Sequence, residues 1–233
     1  MDQKEYAVIV AGGKGTRLKH STPKQFIELN GKPVLFHTLD AFVRYSPALQ
    51  IILVLPEEDI KTWETLVAQH HASYNILVQS GGETRFQSVQ RGLEKITGDG
   101  LVAIHDGVRP LVSTEMIAAS FQLAAKRKAA VAAVRLKDSI RMTDTVPVAG
   151  SLPETTRSAD RALYWLIQTP QTFDVKLIQG AYQVTEDAVM TDDATVAERD
   201  GHPIFLFEGS YDNIKITTPE DLTIAEALLK RKS

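Results

Sequence analysis

Short, unbroken apolar runs separated by amphipathic stretches restrict this chain to one class of fold. The runs are Tyr6–Val10, Ile51–Leu55, Ile76–Gln79, Leu101–His105 and Ala130–Val134. None alternates apolar with polar, so each reads as a strand buried on both faces. Between them, Leu35, Leu39 and Phe42 recur at helical spacing after Pro33, a residue suited to the first helical position. Ile60, Trp63 and Val67 repeat the pattern, as do Phe86, Val89 and Leu93. Ser113-Thr114-Glu115 opens a further helix with a cap and an early acid. Strand and helix in alternation imply parallel pairing through right-handed crossovers. The expected fold is α/β, three-layered and Rossmann-like, with a mostly parallel sheet and residues 1–233 in one domain.

Residues 137–160 break that rhythm. Two polar segments, Asp138–Thr143 and Glu154–Asp160, flank a turn-prone Val146-Pro147-Val148-Ala149-Gly150-Ser151-Leu152-Pro153. They form either a surface loop or a protruding β-arm inserted in the domain. A lone two-stranded ribbon gains by pairing, so an arm here implies a homodimer. The chain then returns to order through the run Leu163–Ile167, a strand at Ile204–Glu208 and a last helix. Thr218-Pro219-Glu220-Asp221 starts that helix with a cap, a proline and first-turn acids.

A net charge of −3 argues against broad nucleic-acid binding, so any anion site must be local. No apolar run approaches the roughly 20 residues that span a bilayer. The charged opening Met1-Asp2-Gln3-Lys4-Glu5 does not read as a signal peptide. With no cysteine, disulfides, thiol catalysis and cysteine-held zinc are excluded, and a cytoplasmic location is expected.

Three of the strands run into polar, glycine-marked loops. Ala11-Gly12-Gly13-Lys14-Gly15-Thr16-Arg17 follows the first, with Pro23-Lys24 close behind. It lacks the Gly-Lys-Ser/Thr of a Walker A loop and the third glycine of a dinucleotide fingerprint. Gly12, Gly13 and Gly15 nevertheless let bare backbone approach an anion, with Arg17 and Lys24 flanking. Ser80-Gly81-Gly82-Glu83-Thr84-Arg85 precedes a helix whose first amides, with Ser88, could read a base edge or ribose; the alternative is a Gly-Gly turn capped by Thr84 or Glu83. The third loop sets Asp106 beside Arg109-Pro110, placed either to hold magnesium or ribose or to form a structural ion pair. His105 reads as a hydrogen-bonded strand residue. Thr191-Asp192-Asp193 reads most simply as a helix cap with first-turn acids. Lys215 alternates with Ile214 and Ile216 and therefore faces either solvent or the crevice. Strand ends in a parallel sheet converge on one crevice, so donors, cations and a carboxylate meet there. That combination suggests a nucleoside triphosphate and its metal ion.

Taken in order, these motifs resemble the cytidylyltransferases of sugar-alcohol phosphates, in particular the 2-C-methyl-D-erythritol 4-phosphate branch. The specific part is His105-Asp106-x-x-Arg109-Pro110, Gln168-Thr169-Pro170-Gln171 and Asp212-Asn213-Ile214-Lys215. The resemblance implies a nucleotidyltransferase fold, and CTP plus the polyol phosphate giving a cytidine diphosphate derivative and pyrophosphate, with Mg2+. Carried over by motif, Arg17 and Lys24 stabilise the triphosphate, and Ala11, Gly12, Gly13, Gly82, Glu83 and Ser88 line the nucleotide. Asp106 and Gly107 meet the ribose and metal region. Arg109, Thr169 and Lys215 hold the acceptor or α-phosphate. Ser139 and Arg161 reach the acceptor phosphate from the partner subunit's arm. Glu83 stands where Asp is common in that family, Gly107 and Val108 where two alanines are, and Ser139 where Thr is.

The resemblance implies that an acceptor phosphate oxygen attacks the α-phosphorus in line, needing no general base. A ribitol 5-phosphate cytidylyltransferase would share the Asp-x-Val-Arg-Pro form. A nucleotide-sugar glycosyltransferase would want an Asp-x-Asp motif, which no strand end carries. A non-catalytic nucleotide-binding module is the rival from another class.

Overall fold

The computed structural model describes residues 3–13, 22–144 and 150–232. In chain order the elements are β1 (Glu5–Val10), β2 (Glu28–Leu29), β3 (Lys32–Pro33), α1 (Val34–Tyr45), β4 (Gln50–Leu55), α2 (Glu57–Gln69), β5 (Ile76–Ser80) and α3 (Arg85–Leu93). There follow β6 (Leu101–Asp106), α4 (Thr114–Arg127), β7 (Ala129–Arg135), β8 (Ile140–Met142), β9 (Arg157–Ala159) and β10 (Trp165–Asp174). The chain finishes with α5 (Val175–Ala181), α6 (Asp193–Arg199), β11 (Leu206–Glu208) and α7 (Pro219–Lys232). A seven-stranded sheet in the order β11-β7-β10-β6-β1-β4-β5 carries the molecule.

Four of the five apolar runs are buried on both faces, whereas Ile76–Gln79 forms the edge strand β5 and leaves Leu77 49% exposed, because it has a neighbour on one side only. Along β1, Ala7 and Ile9 pack into one cluster with Leu35, Leu39 and Phe42 of α1 and Ile117 and Phe121 of α4. Tyr6, Val8 and Val10 face the opposite cluster, with Phe86, Val89 and Leu93 of α3 and Ile178 of α5. Three layers result. α3 lies so close to the sheet that a Cβ on Gly92 would come within 2.6 Å of Val8. That approach fixes where α3 begins, and hence where Thr84, Arg85 and Ser88 stand.

β1 pairs in parallel with β4 and β6, β4 with β5, and β7 with β11. β10 is the exception. The ordered run at Leu163–Ile167 leads into a strand, Trp165–Asp174, that runs antiparallel to both β6 and β7 in a sheet expected to be mostly parallel. Parallel return requires a crossover laid over the sheet, usually a helix. The segment between β7 and β10 is a hairpin instead, so the chain re-enters the sheet reversed. Gln168, Thr169 and Pro170, read from sequence as polar groups following the Leu163–Ile167 run, sit inside β10 where the register with β7 shifts between Ile167 and Gln171. A proline cannot donate to a ladder, so the shift falls at Pro170. Two boundaries also move: α1 begins at Val34 with Pro33 as its cap, and the strand near 204 shortens to Leu206–Glu208.

The arm is present as a ribbon, with Ile140 opposite Ala159 and Met142 opposite Arg157. Arg141 ties the strands by donating to the hydroxyl and carbonyl of Thr156 at 2.7 and 2.8 Å. At its base Leu163, Leu166 and Ile167 are exposed.

Candidate active site

β6, β1, β4 and β5 end along one edge of the sheet, and the loops beyond them enclose a cavity of about 650 Å³. Its floor includes Ala11, Gly12 and Gly13, its walls Gly82, Glu83 and Arg85, and its far edge Asp106 and Lys215. Lys24 crosses Gly13 closely: a Cβ on residue 13 would meet Lys24 Cε and Nζ at 3.3 Å. Any side chain at 13 would displace the cation or cover the backbone. Ser88 reaches the wall, but its hydroxyl is committed to its own loop. It accepts from Gly82 N–H at 3.1 Å and donates to the Thr84 carbonyl at 2.9 Å. Thr84 caps α3 by accepting from Gln87 N–H at 3.1 Å. The capping alternative for this loop therefore holds alongside its place on the cavity wall.

A second cavity of about 350 Å³ lies on the other side of Asp106. Arg109, Gln168, Thr169, Gln171, Thr191 and Asp192 line it. Arg85, Asp106 and Lys215 line both spaces. These three residues are the partition where the two cavities meet.

Three cations surround Asp106. Lys215 Nζ lies 3.0 Å from Oδ2, Arg109 Nε 3.3 Å from Oδ2, and Arg85 Nε 3.4 Å from Oδ1. Burial alone would raise this carboxyl. Arg85, Lys215 and Arg109 together outweigh burial and hold it well below the usual carboxylate range, so it stays ionised. Beneath it, His105 is fully buried, and burial pushes its imidazole down to about 3. It is a neutral support, with Nδ1 3.0 Å from Thr169 Oγ1 and Nε2 3.3 Å from the Arg109 carbonyl. Thr169 Oγ1 also accepts from Asp106 N–H at 3.1 Å, which joins β10 to the end of β6.

Lys215 reaches this place because its segment zips onto the Asp106 loop. Ile216 N–H donates to the Val108 carbonyl at 2.9 Å, and Arg109 donates to the Asn213 carbonyl at 2.8 Å. Asn213 Nδ2 donates to the Thr169 carbonyl at 2.8 Å. Ile216 is buried beside Val108 and Leu111, so Lys215, one residue back, faces the crevice.

The sequence profile of the IspD family, 2-C-methyl-D-erythritol 4-phosphate cytidylyltransferase, matches residues 6–231. The chain belongs to this family. The enzyme of that name from Bacteroides thetaiotaomicron is 48% identical over 227 residues, covering 97% of this chain and 100% of that protein. The crystal structure of 4-diphosphocytidyl-2C-methyl-D-erythritol synthase from Anaerococcus prevotii superposes with a TM-score of 0.81 at 33% identity. That match covers 98% of this chain and 97% of the other. The Thermus thermophilus 2-C-methyl-D-erythritol 4-phosphate cytidylyltransferase gives 0.74 at 29% identity, over 99% and 100% of the two chains.

Of the residues singled out from sequence, Ala11, Gly12, Gly13, Lys24, Gly82, Glu83, Ser88, Asp106 and Lys215 line the larger cavity, and Arg109 and Thr169 the smaller. Gly15 and Arg17 lie outside the described residues. Gly107 lines neither cavity. It packs instead, since a Cβ there would meet Ala11 Cβ at 2.9 Å and Leu35 Cδ1 at 3.0 Å. Ser139 and Arg161 are exposed on the arm and line neither cavity; Arg161 donates to the Lys137 carbonyl.

Sequence reasoning gave no role to Arg85, Gln168 or Gln171. A signal for Arg85 existed: it opens a helix, the end where the dipole disfavours a cation, so it must have anionic partners. Asp192 does cap α6, accepting from Thr195 N–H at 2.9 Å, but its other oxygen takes Gln171 Nε2 at 2.9 Å in the smaller cavity.

Proposed function

We propose that this chain joins CTP and 2-C-methyl-D-erythritol 4-phosphate to give 4-diphosphocytidyl-2-C-methyl-D-erythritol and pyrophosphate, a step of non-mevalonate isoprenoid biosynthesis. The observation that carries the reading is the pair of cavities sharing Arg85, Asp106 and Lys215 as their partition. The larger, floored by glycine backbone and Lys24, suits a nucleoside triphosphate. The smaller, lined by cations and hydrogen-bonding side chains, suits a polyol phosphate. The α-phosphorus then sits at the partition, with the acceptor on one side and the leaving pyrophosphate on the other.

An acceptor phosphate oxygen forms the new bond to the α-phosphorus while the bridge to the β-phosphate breaks. A phosphate monoester loses its second proton near pH 6, so the nucleophile is anionic without a base. The obstacle is repulsion between two anions. Lys24 steadies the triphosphate, Arg109 draws in the acceptor, and Lys215 faces the charge that builds between them. Among the described residues no cluster of three or more His, Cys, Asp or Glu side chains occurs that could hold a metal ion. Asp106, buried and ionised at the partition, fits the mode in which Mg2+ takes one protein carboxylate and completes its shell with phosphate oxygens and water. Bound there, magnesium would spread charge over the transferring and leaving groups. A cytoplasmic setting, where CTP is supplied, completes the reading.

The decisive measurement is pyrophosphate release with four nucleotides against two polyol phosphates. CTP with the methylerythritol phosphate should exceed every other pair by at least tenfold. Preference for ribitol 5-phosphate would transfer the reading to that rival, and CTP binding without release would leave only a binding module.

The arm supports a homodimer. Its base leaves Leu163 77% and Leu166 51% exposed, and its two short strands bury little on their own. In such a dimer Ser139 and Arg161 would enter the partner's smaller cavity. Leu163→Asp with Leu166→Asp should turn a sedimenting dimer into monomers and lower turnover at least tenfold. Monomeric, fully active wild type would refute this arrangement.

A further inference from the structure

The steps above use the cations that face substrate and leave a buried pair of charges without a role. Arg85 donates from Nη1 and Nη2 to Asp193 Oδ1 and Oδ2 at 2.9 and 2.7 Å, fork to fork. Asp193 is fully buried, and its Oδ1 also accepts from the Tyr182 hydroxyl at 2.6 Å. Tyr182 is buried in turn and stacks on Phe86 with ring centroids 4.6 Å apart. Only Nε of Arg85 is turned elsewhere, to Asp106 Oδ1 at 3.4 Å. A line of groups thus runs from Tyr182 through Asp193 and Arg85 to the carboxylate at the partition.

Stability does not account for this choice. A buried ion pair is often no more stabilising than apolar residues of the same volume, because both charges must leave water. The placement has electrostatic logic instead. Arg85, Arg109 and Lys215 all face Asp106, an excess of cations at a point built to receive phosphates. Asp193 offsets the charge of Arg85 from behind and engages one donor on each of its terminal nitrogens. Arg109 and Lys215 are left to meet the substrates. Without Asp193, the Arg85 fork would be free beside both cavities and would hold ground-state phosphate as well as the transition state. Binding of that kind lowers KM without raising turnover.

We propose that Asp193 is a positioning residue, which through Arg85 fixes the Asp106 carboxylate and keeps the Arg85 fork off the substrate phosphates. This rests on the cytidylyltransferase reading of the site. Asp193→Asn keeps the shape and removes the charge. Among folded molecules, verified by thermal melting, its kcat should fall tenfold or more while KM for the polyol phosphate stays level or decreases. A merely structural Asp193 would lower the melting temperature and leave kcat within twofold in the folded fraction, and that result overturns the proposal, as does a loss confined to a raised KM. Should the variant not fold, Tyr182→Phe decides. It keeps the ring against Phe86 and removes one donor to Asp193, so kcat should drop about threefold at unchanged KM; wild-type kcat there overturns the proposal. The wild-type control separates the two ideas. An inactive wild type sinks the reading of the site and this inference with it, whereas an active wild type with unaffected variants sinks only the inference.

Discussion

Lys215→Ala should turn over at least a hundredfold more slowly than wild type while binding CTP nearly as well. Lys215 lines both cavities and lies 3.0 Å from Asp106 at their partition, where charge accumulates as the new phosphate bond forms. A preorganised group facing charge that exists only in the transition state is worth about 3–4 kcal/mol, or roughly two to three powers of ten in rate. The fold should hardly notice. The Lys215 side chain is 40% exposed, and the buried Asp106 carboxylate keeps Arg85 and Arg109 as partners, so no buried charge is left unpaired. Steady-state kcat beside a calorimetric Kd for CTP tests this. A kcat within fivefold of wild type would mean that the partition is not where the chemistry occurs.

Asp106→Asn should be at least as severe in turnover and should also change how stability responds to acid. The substitution removes the one negative charge that Arg85, Arg109 and Lys215 share, together with the oxygen proposed above to meet Mg2+. Phosphates should therefore bind as tightly as before or tighter while kcat falls by two powers of ten or more. The folded-state carboxyl titrates below its ordinary range, because the three cations prevail over burial. A carboxyl depressed on folding contributes stability that is present above its unfolded value, near 3.9, and is lost as the pH falls below it. The stability difference between wild type and variant should thus be largest near neutrality and shrink from about pH 5 downward. Urea melts at pH 6.5 and pH 3.5 measure it; a constant difference would show that the Asp106 charge is not coupled to folding.

The layers of this molecule were legible because burial on both faces leaves a compositional trace. Ala7 and Ile9 face one side, Val8 and Val10 the other, and both sides are apolar. β10 was not legible in the same way. Its middle, Gln168 to Thr172, is polar in composition yet buried, because Gln168 donates to the Ser210 carbonyl while Gln171 donates to Asp192 and accepts from Ala194 N–H. A run of glutamine and threonine reads as loop until those partners are known. The reversal of β10 was hidden for a different reason: the arm itself was legible as a hairpin or loop, but the direction in which the chain re-enters the sheet depends on which strands it returns between, and that is set by tertiary packing.

By itself the sequence determined that the five apolar runs are strands, that three of their ends carry glycine loops and cations, and which family the chain joins. Those properties are local, set by apolar periodicity and by backbone left bare where glycine stands. Tertiary structure alone decided that residues 85, 106, 109, 193 and 215 meet. Their encounter depends on the sheet order that sets β6 beside β1 and β10, and on hydrogen bonds such as that from Ile216 to Val108. It decided too that Gly107 packs while Gly13 lines the site, because a missing Cβ looks the same in sequence whether it makes room for Leu35 or for a ligand.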